Sequence, residues 1–365
     1  MMIEFLDLGA GARARRDDLL AAAARVIDSG WFILGEEVAS FEREFAAYCN
    51  APAAVGVANG LDAISLALRA LDIGPGDEVI VPSNTYIATW LAVSHVGAMP
   101  IGVEPDPATY NIDSDLVEAA ITPRTRAIIA VHLYGQPADL DPLRTIAQRH
   151  DLALIEDAAQ AHGARYKGRR IGSDDGAIVT WSFYPGKNLG ALGDGGAVTG
   201  DGTITDAIGQ LRNYGSRRKY HHEVIGYNSR LDELQAAFLR AKLPHLDREN
   251  ERRRAIAARY SSGLQGLDLV VPSVPAWAEP VWHLYVVQHP ARDALAAHLR
   301  EQGIATMIHY PVAPHLQPAY AALGLDEGTF PISERLHREV LSLPIGPMLT
   351  DDEVDQVIDA IRHFF

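Results

Sequence analysis

The stretch "AAVGVANGLDAISLALRAL", Ala53–Leu71, changes its period half-way. Ala53–Ala58 is a short apolar run of strand length. Leu61–Leu71 then repeats leucine, isoleucine and alanine at helical spacing. Asn59 and Gly60 sit at the junction, where a turn becomes a helix start. A buried strand feeding a helix in this way is the repeating unit of α/β folds. The same unit recurs outward along the chain. "GPGDEVIVP" (Gly74–Pro82) reads as a turn and a strand. "MPIGVE", "TRAIIAVHLY" and "LALIED" read as further strands, with "DSDLVEAA" and "DPLRTIAQRH" as the helices between them. Strands that are apolar throughout need cover on both faces, so the fold class is α/β with a mostly parallel sheet flanked by helices. "AIVTWSF" and "GGAVTGD" read as two more strands, Ala177–Phe183 and Gly195–Asp201.

The pattern shifts near Asp232. Asp232–Leu264 is a long helical stretch that Pro244 should break or kink. "VWHLYVVQHP", the helix "RDALAAHLREQG" and "IATMIHYP" follow, and Thr350 with Glu353 forms a capping-box start for a terminal helix. The expected division is residues 1–245 as a large α/β domain that includes the N-terminal segment, and 246–365 as a smaller C-terminal α+β domain.

With 365 residues the chain can bury a large core. Its net charge of −15 argues against nucleic acid as a partner, which needs a basic footprint. Cys49 is the only cysteine, so an intrachain disulfide and a cysteine-based zinc site are excluded. No run approaches the roughly 18 apolar residues of a membrane span, and the start lacks a signal-peptide core. A cytoplasmic enzyme without a membrane partner is expected.

Between the last two strands of the large domain lies "WSFYPGKNLGALGDGG" (Trp181–Gly196), in which glycines surround Lys187. A lysine becomes a nucleophile toward aldehydes when burial or a nearby cation lowers its pKa; otherwise it is a solvated lysine in a turn. Asp157 closes "LALIED", where ligands of open α/β sheets bind, although an aspartate there also serves as a helix N-cap. Asn59 and Gly60 offer helix-start N–H groups to a phosphate. "GALGDGG" fits neither the dinucleotide nor the nucleoside-triphosphate glycine motif. His221, His222 and His309 show no metal-ligand spacing. "SRRKY" (Ser216–Tyr220) is a basic run that could hold an anion. Taken in order, the Asn59-Gly60 turn, Tyr86, Asp157, Ser182 and Lys187 supply what a pyridine aldehyde phosphate requires. The lysine would take the aldehyde, the acid would face the ring nitrogen, the aromatic would stack, and the serine and turn would hold the phosphate.

These residues lie within "VANGLDA", "VPSNTYIATW", "VHLYGQPADLDP", "IEDAAQAHGA", "SFYPGKNLGALGDGG", "LRNYGS", "GYNSRLDELQAA" and "HYPVAPHLQPAY". On these motifs the chain resembles the DegT-like nucleotide-sugar aminotransferases over almost its whole length. The resemblance implies the type I fold of pyridoxal-phosphate enzymes. It implies Lys187 as the cofactor-bearing lysine, Asp157 at the ring nitrogen and Gln160 near the phenolic oxygen. It places Ser182, Gly60 and Leu61 on the phosphate, Tyr86 on the ring, and Asn228 at the phosphate of the neighbouring subunit. A homodimer with shared active sites follows. The implied substrates are L-glutamate and a nucleotide-linked keto sugar, with amination at carbon 3 of a dTDP-3-keto-6-deoxyhexose. Tyr184, Tyr220, His309 and Tyr310 are the expected sugar contacts, with Arg217, Arg218 or Lys219 at the diphosphate. The alternatives are amination at carbon 4 of a UDP- or dTDP-linked 4-keto sugar, or a cofactor-binding regulator without turnover. An amino-acid aminotransferase would need a late arginine for the substrate carboxylate. Arg335 and Arg338 are available, but no motif surrounds them.

Overall fold

A computed structural model describes residues 2–174 and 176–365. Three helices, α1 (Leu8–Ala14), α2 (Arg16–Ser29) and α3 (Glu36–Cys49), precede the sheet. The opening stretch then behaves as its period predicts. Ala53–Val57 is strand β1, and Gly60–Ala70 is helix α4, capped by the Asn59 side chain, which accepts from the Asp62 N–H. Strands β2 (Glu78–Pro82), β3 (Met99–Val103), β4 (Thr125–Val131) and β5 (Ala153–Asp157) follow, then β6 (Ile178–Ser182) and β7 (Gly196–Gly200). Among the described residues these seven form one sheet in the order β1-β7-β6-β5-β4-β2-β3. Only β7 runs against its neighbours, so the sheet is mixed but mostly parallel.

Neighbouring residues of one strand face opposite cores. Ile128 and Ala130 of β4 join the cluster with Phe41, Phe45 and Trp181, whereas Ala127 and Ile129 join the one with Leu66, Val81 and Trp90. Both faces are therefore dry. That is why these strands read as unbroken apolar runs.

The predicted break falls in the expected place. Glu233–Lys242 is helical, Leu243–His245 is a 3-10 turn around Pro244, and Leu246–Gly263 is helical again. The C-terminal part pairs Tyr285–Gln288 with Val340–Leu343 and packs them against Arg292–Glu301 and the terminal helix Asp351–Phe364. The Thr350–Glu353 capping box is present.

Three expectations need correction. "DSDLVEAA" forms one helical turn and a 3-10 turn rather than a full helix, since its acidic half offers little apolar face. "IATMIHYP" makes only isolated bridges, at Ile304 and Met307. The first residues do not stay with the large sheet. The Ile3 N–H donates to Gly303 O at 2.8 Å, and Ile3 is buried in the C-terminal core.

Candidate active site

The parallel strands end on one side of the sheet, and the expected site residues gather there. Asp157, the last residue of β5, is 6% exposed. Its Oδ1 accepts from the Ala159 N–H at 3.1 Å and its Oδ2 from the Thr89 hydroxyl at 3.0 Å. Thr89 also lies 3.0 Å from Thr85 Oγ1. No helix begins after Asp157, so the N-cap alternative does not hold; the chain turns instead. Glu156 points to the other face, toward His132 at 3.1 Å and Arg144 at 3.2 Å. Burial pushes the Asp157 carboxyl up, while the Ala159 N–H, the Thr89 hydroxyl and the charge of Lys187 pull it down. An ionised carboxylate with two donors keeps acceptor capacity for a cationic nitrogen.

Lys187 lies in the loop between β6 and β7. Its backbone N–H donates to Tyr184 O at 2.8 Å. Among the described residues its amine makes no hydrogen bond or ion pair. Burial pushes that amine down to about 8, and Asp157 alone pulls it back up. Lys187 also lowers the nearby His162, His283 and His309. Burial is the larger cause for each, and it takes His162 to about 3 and His309 to about 4. At neutral pH the lysine thus faces Asp157 and three uncharged imidazoles. A lysine in such surroundings is a competent nucleophile and base near pH 8.

Gly60 opens α4 against the end of β6. A Cβ on Gly60 would stand 2.6 Å from Ser182 Cβ, so only glycine lets the helix start meet the serine. Leu61 follows in the first turn, with Ser182 Oγ at the same place. Free helix-start N–H groups beside a hydroxyl make a cradle for a phosphate. Tyr86 is half exposed, and its ring centroid is 5.0 Å from that of Tyr310. Gln160 holds Tyr310 by donating to its hydroxyl at 3.0 Å, and its Oε1 accepts from the Tyr134 N–H at 2.5 Å. His309 Nδ1 lies 2.8 Å from Ser342 Oγ.

The structure does not bring every expected residue into this group. Tyr184 shares the lysine loop but is 58% exposed. Arg217, Arg218, Lys219 and Tyr220 form a separate exposed turn, where the Lys219 ammonium lies over the Tyr220 ring at 5.2 Å. Asn228 is exposed next to Ser229, whose hydroxyl donates to Asp62 Oδ2 at 2.7 Å and anchors the segment on the α4 turn. Sequence reasoning missed Thr89, although Thr85 and Thr89 are one helical turn apart in the stretch that also holds Tyr86. It also missed His162, whose two ring nitrogens are buried without a hydrogen-bond partner.

This geometry matches a known family. The profile of the DegT/DnrJ/EryC1/StrS aminotransferases fits residues 14–362. The chain belongs to that family. A curated relative from Streptomyces venezuelae, dTDP-3-amino-3,4,6-trideoxy-alpha-D-glucose transaminase, is 57% identical over 99% of this chain and 96% of its own. The dTDP-3-amino-3,6-dideoxy-alpha-D-galactopyranose transaminase of Aneurinibacillus thermoaerophilus is 52% identical over 100% of this chain and 99% of its own. The crystal structure of S. venezuelae DesV in complex with a ketimine intermediate superposes with a TM-score of 0.98, at 57% identity, covering 100% of this chain and 98% of that one.

The protein is therefore a sugar aminotransferase of fold type I that uses pyridoxal phosphate. Its residues fit that cofactor. The Gly60–Ser182 contact leaves a cradle that a Cβ would fill, and a buried carboxylate and an unpartnered amine stand beside it. No helix among the described residues is long and apolar enough to cross a membrane.

Proposed function

We propose that this aminotransferase moves an amino group from L-glutamate to carbon 3 of a dTDP-linked 3-keto-6-deoxyhexose in the cytoplasm. The observation that carries the reading is full-length similarity above 50% to two enzymes named for dTDP-3-amino sugars. Bound pyridoxal phosphate supplies a sink for the electron pair left when a proton leaves carbon. The residues of this chain do the rest. Asp157 would face the ring nitrogen and favour its protonated form. Gly60, Leu61 and Ser182 would hold the phosphate, Tyr86 would cover the ring, and Gln160 would lie near the phenolic oxygen. The Lys187 amine, free at mildly alkaline pH, would take a proton from the donor's α-carbon and deliver it across the nitrogen to the carbon that had been the cofactor's aldehyde. Running the exchange backwards on the keto sugar leaves the amine at carbon 3.

The functional unit is a homodimer with shared sites. Ile225 is 90% exposed, Tyr220 82% and Trp31 62%, large apolar side chains of the kind that a second copy covers. Asn228, three residues beyond Ile225, would reach the partner's phosphate. The Arg217–Lys219 run meets the nucleotide diphosphate, and Tyr184, His309 and Tyr310 line the sugar.

The test is incubation with L-glutamate and a panel of dTDP- and UDP-linked 3-keto and 4-keto sugars, with products identified by mass and NMR. A dTDP-3-amino-6-deoxyhexose is expected. Turnover of 4-keto or UDP-linked sugars alone, or fast amino-acid/keto-acid exchange with every sugar inert, would overturn the reading.

A further inference from the structure

The residue after Lys187 is held from the other end of the chain. Asn188 is buried, and its Nδ2 donates to Val281 O and to Asn250 Oδ1, each at 2.9 Å. Two acceptors on one nitrogen fix the amide orientation, so Asn188 Oδ1 is the acceptor for the His283 Nδ1–H at 3.3 Å. Asn250 is 1% exposed and spends its own Nδ2 on His162 O at 2.8 Å. A closed chain of buried amides therefore runs from His162, two residues beyond Gln160, through Asn250 to the lysine loop. Asn250 lies on the long helix Leu246–Gly263, three residues before Arg253, which donates to Trp282 O and Ile345 O.

We infer that Asn250 is a positioning residue for the reactive lysine, tying the C-terminal helix through the Asn188 side chain to the loop that carries Lys187. The inference rests on Lys187 being the cofactor-bearing amine. The tie has two consequences. It fixes where the Lys187 backbone leaves the loop, and hence where its amine ends. It also gives each buried amide of the seam a protein partner, so that none of them calls for a water. The groups that face Lys187 are Asp157 from the sheet, His162 from the turn beyond it, and His283 and His309 from the C-terminal part. Asn250→Ala alters none of these charges, so a change in the amine reports position and hydration.

The readout is acylation of Lys187 in cofactor-free protein across pH, followed by peptide mass analysis. It needs neither cofactor nor turnover, so it is independent of the proposed reaction; absorbance of cofactor-loaded Lys187→Ala tests that reading separately. Half-maximal labelling is expected near pH 8 in the parent. In N250A it should move up by about one pH unit, toward an ordinary lysine. In loaded enzyme, kcat should fall roughly tenfold or more with KM for L-glutamate nearly unchanged. N188A should shift the midpoint the same way and at least as far, since it also frees Val281 O and His283, and the double variant should lose clearly less than the sum of the singles, because the shared Asn188–Asn250 bond is lost only once. Asn250→Ser, which leaves a hydroxyl and room for a water, should bring the midpoint part of the way back and serves where the alanine variant does not fold. A labelling midpoint within about 0.3 pH of the parent, or additive losses in the double variant, would overturn the inference even if melting temperature falls.

Discussion

Replacing Asp157 with asparagine should stabilise the cofactor-free protein while crippling the loaded enzyme. The carboxylate is 6% exposed, and burial is the largest influence on it, raising its pKa in the folded state. A carboxyl raised above its unfolded value of 3.8 holds its proton more tightly folded than unfolded. Its contribution to stability therefore falls as pH climbs from the unfolded value to the folded one, and stays low above that. A tenfold difference in proton affinity between the folded and unfolded chain corresponds to about 1.4 kcal/mol. Asparagine keeps the shape and the hydrogen bonds. Its carbonyl accepts from the Ala159 N–H, and its amide donates to Thr89 Oγ1, whose hydroxyl proton turns toward Thr85. One loss offsets part of the gain, because Lys187 forfeits its only raising influence and becomes neutral at lower pH. The expected net effect is added stability at pH 7 that vanishes near pH 4. Urea titration of cofactor-free protein at both pH values measures it. In loaded enzyme the same change leaves the ring nitrogen without its counter-charge. Breaking a buried charge pair costs about 3–5 kcal/mol, so kcat should drop by roughly 10²–10⁴-fold. Cofactor-free D157N that is less stable than the parent at pH 7 would refute the claim that desolvation dominates at this carboxylate.

Three further outcomes follow from the same geometry. Lys187→Ala should abolish turnover and the visible absorbance change on adding L-glutamate, while phosphate-held cofactor still co-purifies; residual kcat above about 1% would contradict a proton-transfer role worth at least two decades. Gly60→Ala would press a Cβ to 2.6 Å from Ser182 Cβ, and should weaken cofactor retention by about tenfold or more, as equilibrium dialysis would show, and cost about 1–3 kcal/mol of stability. Mixing Lys187→Ala and Asn228→Ala protomers after partial denaturation should restore about one quarter of parent activity, because half the dimers are mixed and each contains one intact site; if Asn228 serves its own subunit, no activity returns.

The strands and the ligand-bearing end of the sheet could be read from the sequence because each depends on local pattern. Apolar runs such as Ile128–Val131 reveal strands buried on both faces, and the end of β5 makes Asp157 a candidate that only its combination with Lys187, Ser182 and the Asn59-Gly60 turn raises above a helix cap. Pro244 announced its own break. Elements whose form depends on distant partners were misread. Ile304–Pro311 is apolar enough for a strand, yet no neighbour offers it a continuous edge, so only Ile304 and Met307 bridge. Ile3 lies far along the chain from its partners, and its docking against Gly303 and Ile304 carries no local signal.

The same division separates the two shells of the site. Lys187, Asp157, Ser182 and Gly60 stand out because their residue types are expensive for packing alone, so their presence at strand ends asks for an explanation. Thr89 and Asn250 do not stand out. Thr89 reads as one more β-branched residue in an apolar helix, and Asn250 sits in "DRENERRR", which reads as a charged, solvated helix face. Yet Asn250 is 1% exposed and Thr89 is 1% exposed. Their value lies in satisfying a particular buried atom, Asp157 Oδ2 for one and the Asn188 amide for the other. That requirement arises only once the fold has removed water from those atoms. Residues that carry chemistry are visible by type, whereas residues that hold the chemistry in place become visible when each buried donor and acceptor is traced to its partner.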